Sequence, residues 1–548
     1  MVIYKATVPA VPIPDIDLFS FLFSPNEFNQ SKDLDKPLTI EGETGKSLSW
    51  NQIRHQALHL AAGWTENVGL KQGDTVAVFA PNQVNHTVLY LSLLGAKCTI
   101  SPGNPAYTEA EFQHQITNSQ ATALVTVPAL LPVLLKICDK IGLARSRIFL
   151  FGDEEIECCR PFTSITGTKP ISFPLQGVDG ANDVAFICYS SGTTGLAKGV
   201  MLTHKNFIAQ ILQTVDAEPE EDRLLDDVIL GFLPFYHIYG LTSLVLNAYY
   251  KVTPVVIMSR YDLELLCQLV EKYKVTLASI VPPVAVHLAK HPIVTKYNLN
   301  SIRLIGCGAA PLSREHIETL AKRIPAQLKQ GYGMTETTSG IISQSLQGGV
   351  AGSIGILSAN MECKVVNEKG QELGDDEEGE FLFRGPSIMK GYFNNPKANA
   401  ETFTADGWMR TGDVGKYDSK SGEFFILDRI KELIKYKGYQ VAPAELEAIL
   451  MGLDIVADCC VVGVYDENQA TEIPRAYVVL QPGVEKSEKN AKIIDEYVTK
   501  NVTNYKKLRG GVKFVDMIPK SPSGKILRRQ VKEWVKKEQQ ETAVKARL

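Results

Sequence analysis

The residues 189–200, Tyr189-Ser190-Ser191-Gly192-Thr193-Thr194-Gly195-Leu196-Ala197-Lys198-Gly199-Val200, concentrate the groups that hold a phosphate. They follow the apolar run 184–188 directly. Glycines permit tight turns and let the backbone approach an anion closely. Hydroxyls at Ser190, Ser191, Thr193 and Thr194, together with backbone N–H groups, can donate to phosphate oxygens, and Lys198 adds a mobile positive charge. The segment is not a Walker loop, because the G-x-x-x-x-G-K-[ST] spacing is absent. Gly45-Lys46-Ser47 ends like such a loop, but Ile40 stands where its first glycine belongs, so it reads as a surface turn. A flexible Gly/Ser linker is the bland alternative for 189–200. A linker would not sit between an apolar strand and an amphipathic segment, so the phosphate loop is the preferred reading.

Elements that could carry such a loop are legible around it. At 548 residues the chain is too long for one hydrophobic core, and two or more domains are expected. Ser49-x-x-Gln52 reads as a capping box for a helix with Ile53, Ala57, Leu60, Ala61 and Trp64 on one face. Apolar runs at 75–80, 122–127, 184–189, 229–233, 253–258, 276–281 and 302–305 alternate with helical patterns. That alternation predicts an α/β fold whose large N-terminal domain has mainly parallel sheets covered by helices. Beyond Asp428 the texture changes. A lysine-rich stretch precedes strands near 456–464, 474–480 and 512–515 and helices near 444–451, 487–502 and 526–537, a small mobile α+β domain. The expected division is 1–428, a hinge at 429–431, and 432–548.

Net charge is −4, with 45% hydrophobic and 22% charged residues, the balance of a soluble enzyme and not of a nucleic-acid binder. Basic residues cluster locally at 429–437, 506–513 and 520–537, which suits a small anionic ligand. No signal-peptide pattern is present, and no apolar run reaches the roughly 18 residues of a membrane span. The ten cysteines occur as singles and as the adjacent pairs Cys158-Cys159 and Cys459-Cys460, without C-x-x-C, so neither a metal site nor a disulfide framework is expected.

The stretch 189–204 resembles the phosphate-loop signature of the adenylate-forming superfamily, which includes acyl-CoA synthetases, 4-coumarate:CoA ligases and beetle luciferases. The resemblance continues through Gln330-Gly331-Tyr332-Gly333-Met334-Thr335-Glu336, Tyr392-x-x-Asn395-Pro396 and Gly407-Trp408-x-x-Thr411-Gly412-Asp413. It extends to Asp428-Arg429-x-Lys431-Glu432-Leu433-Ile434-Lys435, Gly438-x-Gln440-Val441-x-Pro443-x-Glu445 and Pro519-Lys520-x-x-x-Gly524-Lys525. The motifs keep the family's order over almost the whole chain. Ala197 departs from the family's usual proline, which loosens the loop without removing a ligand.

What the resemblance implies is an ATP-dependent acid:CoA ligase using ATP, Mg²⁺ and coenzyme A. The loop, with Lys198, would hold the β,γ-phosphates, and Lys525 would reach the acyl carboxylate and the α-phosphate. Asp413, an ionised carboxylate with acceptors only, suits the ribose hydroxyls, with Arg429 assisting. Tyr332 would stack on adenine within Gln330-Gly331-Tyr332, Thr335 would bond the α-phosphate, and Glu336 fits a magnesium ligand. His237, in an aromatic and apolar setting, reads on its own as a core histidine; the resemblance gives it a role orienting the carboxylate. Rotation about Lys431 would then withdraw Lys525 and bring Lys435, Lys437 and Gly438 to the CoA site, with Gln440 on the adenylate and Arg260 on the CoA nucleotide.

By the same analogy the acyl pocket comprises His237, Tyr239, Ser243, Gly306, Ala309, Gly331, Thr338, Ser339 and Gly340. Small residues there leave room for a flat ring and favour a hydroxycinnamate such as 4-coumarate. Glu336-Thr337-Thr338-Ser339-Gly340 looks more like luciferase and fatty acyl ligases, so a medium- or long-chain fatty acid and a luciferase-type oxidation are the alternatives. The tail Ala546-Arg547-Leu548 resembles a peroxisomal address read by an import receptor, with the cytoplasm as the alternative location.

Overall fold

Ser49 opens the helix Trp50–Glu66 through a reciprocal pair of bonds: its hydroxyl accepts from Gln52 N at 3.1 Å, and Gln52 Oε1 accepts from Ser49 N at 2.9 Å. Two N–H groups that no helical carbonyl can reach are thereby satisfied. Ile53, Ala57, Leu60, Ala61 and Trp64 are buried on one face, as their spacing requires. The structure, a computed structural model, describes residues 2–190, 197–309, 312, 314–346, 349–437, 439–466, 469, 471–521 and 524–545.

The apolar runs become the centres of two large sheets. In the eight-stranded sheet, Thr75–Phe79 lies between Thr99–Gly103 and Ala121–Thr126, with Ile148–Leu150 and Val184–Ser190 further out, all parallel. Lys198–Thr203 and Gly391–Tyr392 add an antiparallel edge. The nine-stranded sheet carries Pro37–Glu41, Val255–Ile257, Ile229–Gly231, Leu277–Ile280, Leu304–Cys307 and Gln327–Met334 in parallel, followed by the antiparallel Ser339–Ser343. Strands buried on both faces read as unbroken apolar runs, and every residue of Thr75–Phe79 is buried. Gly45, at φ +79°, turns the hairpin between Pro37–Glu41 and Ser47–Ser49, in keeping with the surface-turn reading.

A third sheet was not anticipated from the sequence. Tyr4–Lys5, Glu362–Val366, Gly379–Arg384, Met409–Asp418 and Glu423–Arg429 form five antiparallel strands. Their half-buried alternation and their partners far apart in the chain leave a weak local signal. One continuous core joins the two large sheets and includes Val76, Ile100, Phe186, Leu202 and Ile305.

Residues from Ile434 to Val535 build a separate core. It lies around Val456–Asp466 paired with Thr471–Leu480, beside Val512–Phe514, with the helices Pro443–Met451, Glu488–Asn501 and Arg528–Lys545. At its entrance Asp428 accepts from Ala444 N at 2.9 Å, at the start of Pro443–Met451. A buried ion cluster ties the ends of this unit together. Arg528 donates to both oxygens of Glu447, at 2.5 and 2.8 Å, and through Nε to Glu432 at 2.7 Å. Glu447 Oε1 also accepts Val461 N at 2.7 Å. Removing one member of such a pair strands a buried charge. Arg528→Met should therefore lower the stability of the C-terminal unit by about 3–5 kcal/mol in urea unfolding read at Trp534, with much of the loss recovered in Arg528→Met/Glu447→Met. An unchanged midpoint in the single variant would show that the cluster does not hold the unit together.

Candidate active site

The strands Val184–Ser190 and Lys198–Thr203 are antiparallel neighbours with Ser190 opposite Lys198. Residues 191–196 therefore join two strands, where the sequence reading led from a strand into an amphipathic segment. The helix His204–Asp216 begins only after the second strand, capped by Thr203. Ser191, Gly192, Thr193, Thr194 and Gly195 lie outside the described residues. At the loop's base, Lys198 Nζ stands 4.7 Å from the centroid of the Tyr392 ring, a cation–π contact. The Tyr392 hydroxyl donates to Glu336 Oε1 at 2.9 Å, and the Ser190 hydroxyl donates to the same oxygen at 3.0 Å. Glu336 is buried in the single turn Thr335–Thr337, and its Oε2 accepts no hydrogen bond among the described residues. Tyr392, noted in the sequence only as part of a motif, fixes this carboxylate together with Ser190.

A second corner forms where the antiparallel sheet meets the nine-stranded one. Asp413 and Arg429 face each other across their strands, with Arg429 Nε 3.0 Å from Asp413 Oδ1. The Tyr332 hydroxyl donates to Asp413 Oδ2 at 2.7 Å. Burial and the Asp413 charge push the Tyr332 phenol well above its ordinary pKa. Gly331 is needed for close strand approach, since a Cβ there would stand 2.9 Å from Ile342 O. The neighbouring Gln330, expected at the nucleotide, is engaged through its side chain. Its Oε1 accepts Leu312 N at 2.8 Å, so this buried amide braces the segment beside the pocket.

Lys525 arrives from the C-terminal unit. Ser521 N donates to Lys525 O at 2.8 Å and Lys525 N to Ser521 Oγ at 3.1 Å, closing the turn. Gly524 adopts φ +77°, and a Cβ there would meet Pro283 at 3.0 Å and Val281 at 3.3 Å. The Lys525 ammonium is acted on by the charges of Arg429, Asp413, Glu432 and Glu336, and its own charge acts on His237. Burial, helped by Arg429, brings its pKa down to about 8, while Asp413, Glu432 and Glu336 hold it up. Burial, and then the Lys525 charge, bring His237 down to about 4. His237 is thus neutral at pH 7. Its Nδ1 accepts Tyr239 N at 3.3 Å, which leaves the proton on Nε2 as a donor.

Tyr239 lies over small residues of the adjacent strand. Its hydroxyl donates to Gly306 O at 3.2 Å, and a Cβ on Gly308 would meet its ring edge at 3.2 Å. Ala309, Thr338 and Ser339 take left-handed backbone, at φ +71°, +55° and +85°. Gly340 is exposed, and a Cβ there would meet nothing within 4 Å. Ser243 is half-buried in the π-helical segment Leu241–Leu246, a helix irregularity often found at functional sites. Thr338, expected in the pocket, is fully buried and gives its hydroxyl to Ser387 O at 2.7 Å, so it supports the wall from behind.

The remaining expected residues are not brought to this cluster. Arg260, Lys431, Lys435 and Lys437 are exposed, and Gly438 lies outside the described residues. Gln440, expected on the adenylate, is exposed and donates to Glu368 at 2.5 Å. The hairpin Ile434–Tyr436/Tyr439–Val441 is fastened within its own unit, where Lys435 N bonds Glu472 and Lys437 N bonds Thr471. No described helix is long and apolar enough to cross a membrane, and residues 546–548 lie outside the description.

Residues 27–393 match the family model described as AMP-binding enzyme, and residues 445–525 match that of the AMP-binding enzyme C-terminal domain. The chain is 38% identical over 542 residues to 4-coumarate–CoA ligase 5 of Oryza sativa subsp. japonica, covering 97% of each chain. It is also 38% identical over 546 residues to 4-coumarate–CoA ligase 3 of Arabidopsis thaliana, covering 97% of this chain and 93% of that one. Among solved structures, ATP-bound MatB from Rhodopseudomonas palustris aligns with a TM-score of 0.83 at 27% identity, over 95% of this chain and 99% of that chain.

The charges around Lys525 give a measurable signature. In pH-dependent amine labelling of the free protein, Lys525 should reach half its limiting reactivity near pH 8. Arg429→Met removes a repelling charge and should move that midpoint up; Asp413→Asn removes an attracting one and should move it down. A midpoint near the ordinary lysine value of about 10.4 would show that Lys525 does not occupy this cleft in solution.

Proposed function

Because the chain belongs to the family of AMP-binding enzymes, we propose that it is an ATP-dependent acid:CoA ligase whose acid is a hydroxycinnamate such as 4-coumarate. It forms an acyl-AMP and pyrophosphate, then an acyl-CoA and AMP. The observation that carries this reading is the half-buried Lys525, whose ammonium is acted on by the charges of the paired Arg429 and Asp413 and of Glu336, and whose own charge acts on His237. Relatives named 4-coumarate–CoA ligases, at 36–38% identity over 97% of this chain, support the choice of acid.

In the first step a carboxylate oxygen attacks the α-phosphorus of ATP, and the bond to pyrophosphate breaks. Both reactants are anionic, so fixed positive charge must stand where they meet. Lys525 supplies it, while the His237 Nε2–H holds the second carboxylate oxygen and Thr335 serves the α-phosphate. Each Asp413 oxygen already accepts one bond but keeps a further lone pair for a ribose hydroxyl. Ser190 and Lys198, with residues 191–195, cradle the β,γ-phosphates. Glu336 would hold Mg²⁺: its buried carboxylate has one oxygen fixed by Ser190 and Tyr392 and the other unengaged among the described residues. When bound, that ion neutralises phosphate charge.

In the second step the CoA thiol attacks the acyl carbonyl and AMP leaves. Lys525 and the thiol need the same cleft, so the C-terminal domain, 432–548, turns against 1–428 about the hinge 429–431. The separate core of residues 434–535 supports that division. The turn carries Lys435, Lys437, Gly438 and Gln440 from their present surface to the site, and exposed Arg260 meets the CoA nucleotide. A peroxisomal location, reached through an import receptor, rests on Ala546-Arg547-Leu548 alone.

The test supplies ATP, Mg²⁺ and CoA with 4-coumarate, cinnamate, hexanoate, decanoate or oleate, and follows AMP and thioester. 4-Coumarate should lead; an alkyl acid in first place replaces the hydroxycinnamate, and no turnover of any acid defeats the ligase reading. Lys525→Ala should slow pyrophosphate exchange about 10²- to 10³-fold, the scale of one lost transition-state donor, with under about tenfold on thioester formation from supplied acyl-AMP. Equal damage to both steps contradicts the division of labour.

A further inference from the structure

Lys329 lies on the strand Gln327–Met334 in parallel register with Gly306. Residues in register on parallel neighbours leave the sheet on the same face. On that face, the direction in which Gly306 would carry a Cβ leads to the Tyr239 hydroxyl at 3.6 Å. The Tyr239 ring runs beside Gly308 and its hydroxyl ends at Gly306, while its backbone N–H is bonded to His237. Lys329 therefore stands level with the phenol end of Tyr239, remote from the His237 end where the reacting carboxylate is held.

Its neighbours leave the charge unanswered. The nearby charges are Glu218, Lys251 and Arg303. Glu218 is already paired with Lys251 at 2.5 Å, and Arg303 with Asp227 at 2.6 Å and Asp222 at 3.7 Å. Lys329 has no hydrogen-bond or ion-pair partner among the described residues, although its side chain is half-buried and burial lowers its pKa. Its Nζ is not among the fully enclosed unpartnered atoms, so it borders accessible space. An unpaired ammonium in such a place is costly unless something completes it.

We propose that Lys329 is a specificity-determining residue at the far end of the acyl site, selecting acids whose tail ends in an acceptor oxygen over tails ending in hydrogen or methyl. The oxygen is either the phenolic oxygen of a 4-hydroxycinnamate or the terminal carboxylate of a diacid. This rests on the ligase reading above. A hydrophobic tail leaves the ammonium without a partner, whereas an acceptor oxygen completes it, which is how a polar site rejects an analogue lacking the matching group.

The experiment compares kcat/KM for 4-coumarate against cinnamate, and for 4-carboxycinnamate against 4-methylcinnamate, in the wild type, Lys329→Met, Lys329→Gln and Lys329→Arg. The wild type should favour the acceptor-bearing acid by about 10- to 100-fold, the range for a hydrogen bond to a charged group. Lys329→Met should bring that ratio towards one, partly by improving cinnamate; Lys329→Gln should do so in part, and Lys329→Arg should preserve it. The larger ratio identifies the neutral or the anionic oxygen as the partner. Ratios unchanged in both Lys329→Met and Lys329→Gln overturn the proposal. Dissociation constants of the 4-coumaroyl and cinnamoyl sulfamoyladenosines read the same ratio without turnover, so failure of the ligase reading is distinguishable from failure of this one.

Discussion

Moving an ammonium group out of water removes several kcal/mol of hydration, and the half-buried Lys525 bears part of that cost beside the charge of Arg429. The Asp413, Glu432 and Glu336 carboxylates make the position tenable. Much of the remaining architecture follows from that balance. The site must hold enough negative charge to admit the lysine, yet not so much that ATP is repelled. The carboxylates are accordingly engaged: Asp413 by Arg429 and Tyr332, Glu336 by Ser190 and Tyr392, and Glu432 by Arg528.

A lysine at the end of a flexible chain would also lose conformational entropy when ordered there. Here that loss is reduced because the lysine is mounted on a packed unit. Ser521 closes its turn, Lys520 is paired with Asp458 at 2.7 Å, and Arg528 joins the following helix to Glu432 and Glu447. Glu432 stands just beyond 429–431, so Arg528 ties the helix that follows the Lys525 turn to the entry of the unit. The bare Cα of Gly524 then lets the turn seat against Val281 and Pro283.

On the other side of the cleft the same balance sets the protonation of His237. Proximity to a cation and loss of water both disfavour imidazolium, so the ring offers a neutral N–H and not a second positive charge. Its orientation comes from Tyr239 N, and the Tyr239 ring in turn rests on Gly306 and Gly308. The orientation of His237 and the placement of the Tyr239 ring are thereby linked.

The amino-acid sequence by itself determined the parts whose signal is local. The phosphate-loop residue types, the capping box at Ser49, the apolar runs of the parallel strands and the change of texture after Asp428 are all set by neighbours a few positions apart. Only the tertiary structure decided which strands lie side by side and in what register. The five-stranded antiparallel sheet, the strand that follows the phosphate loop, the fixing of Glu336 by Tyr392, and the structural use of Gln330 and Thr338 all depend on partners far away in the chain. So does the alignment of Lys329 with Gly306. Periodicity fixes which side of its own strand a residue occupies, but a shift of one residue between strands would send every side chain to the opposite face, and that register is chosen by packing of the whole core.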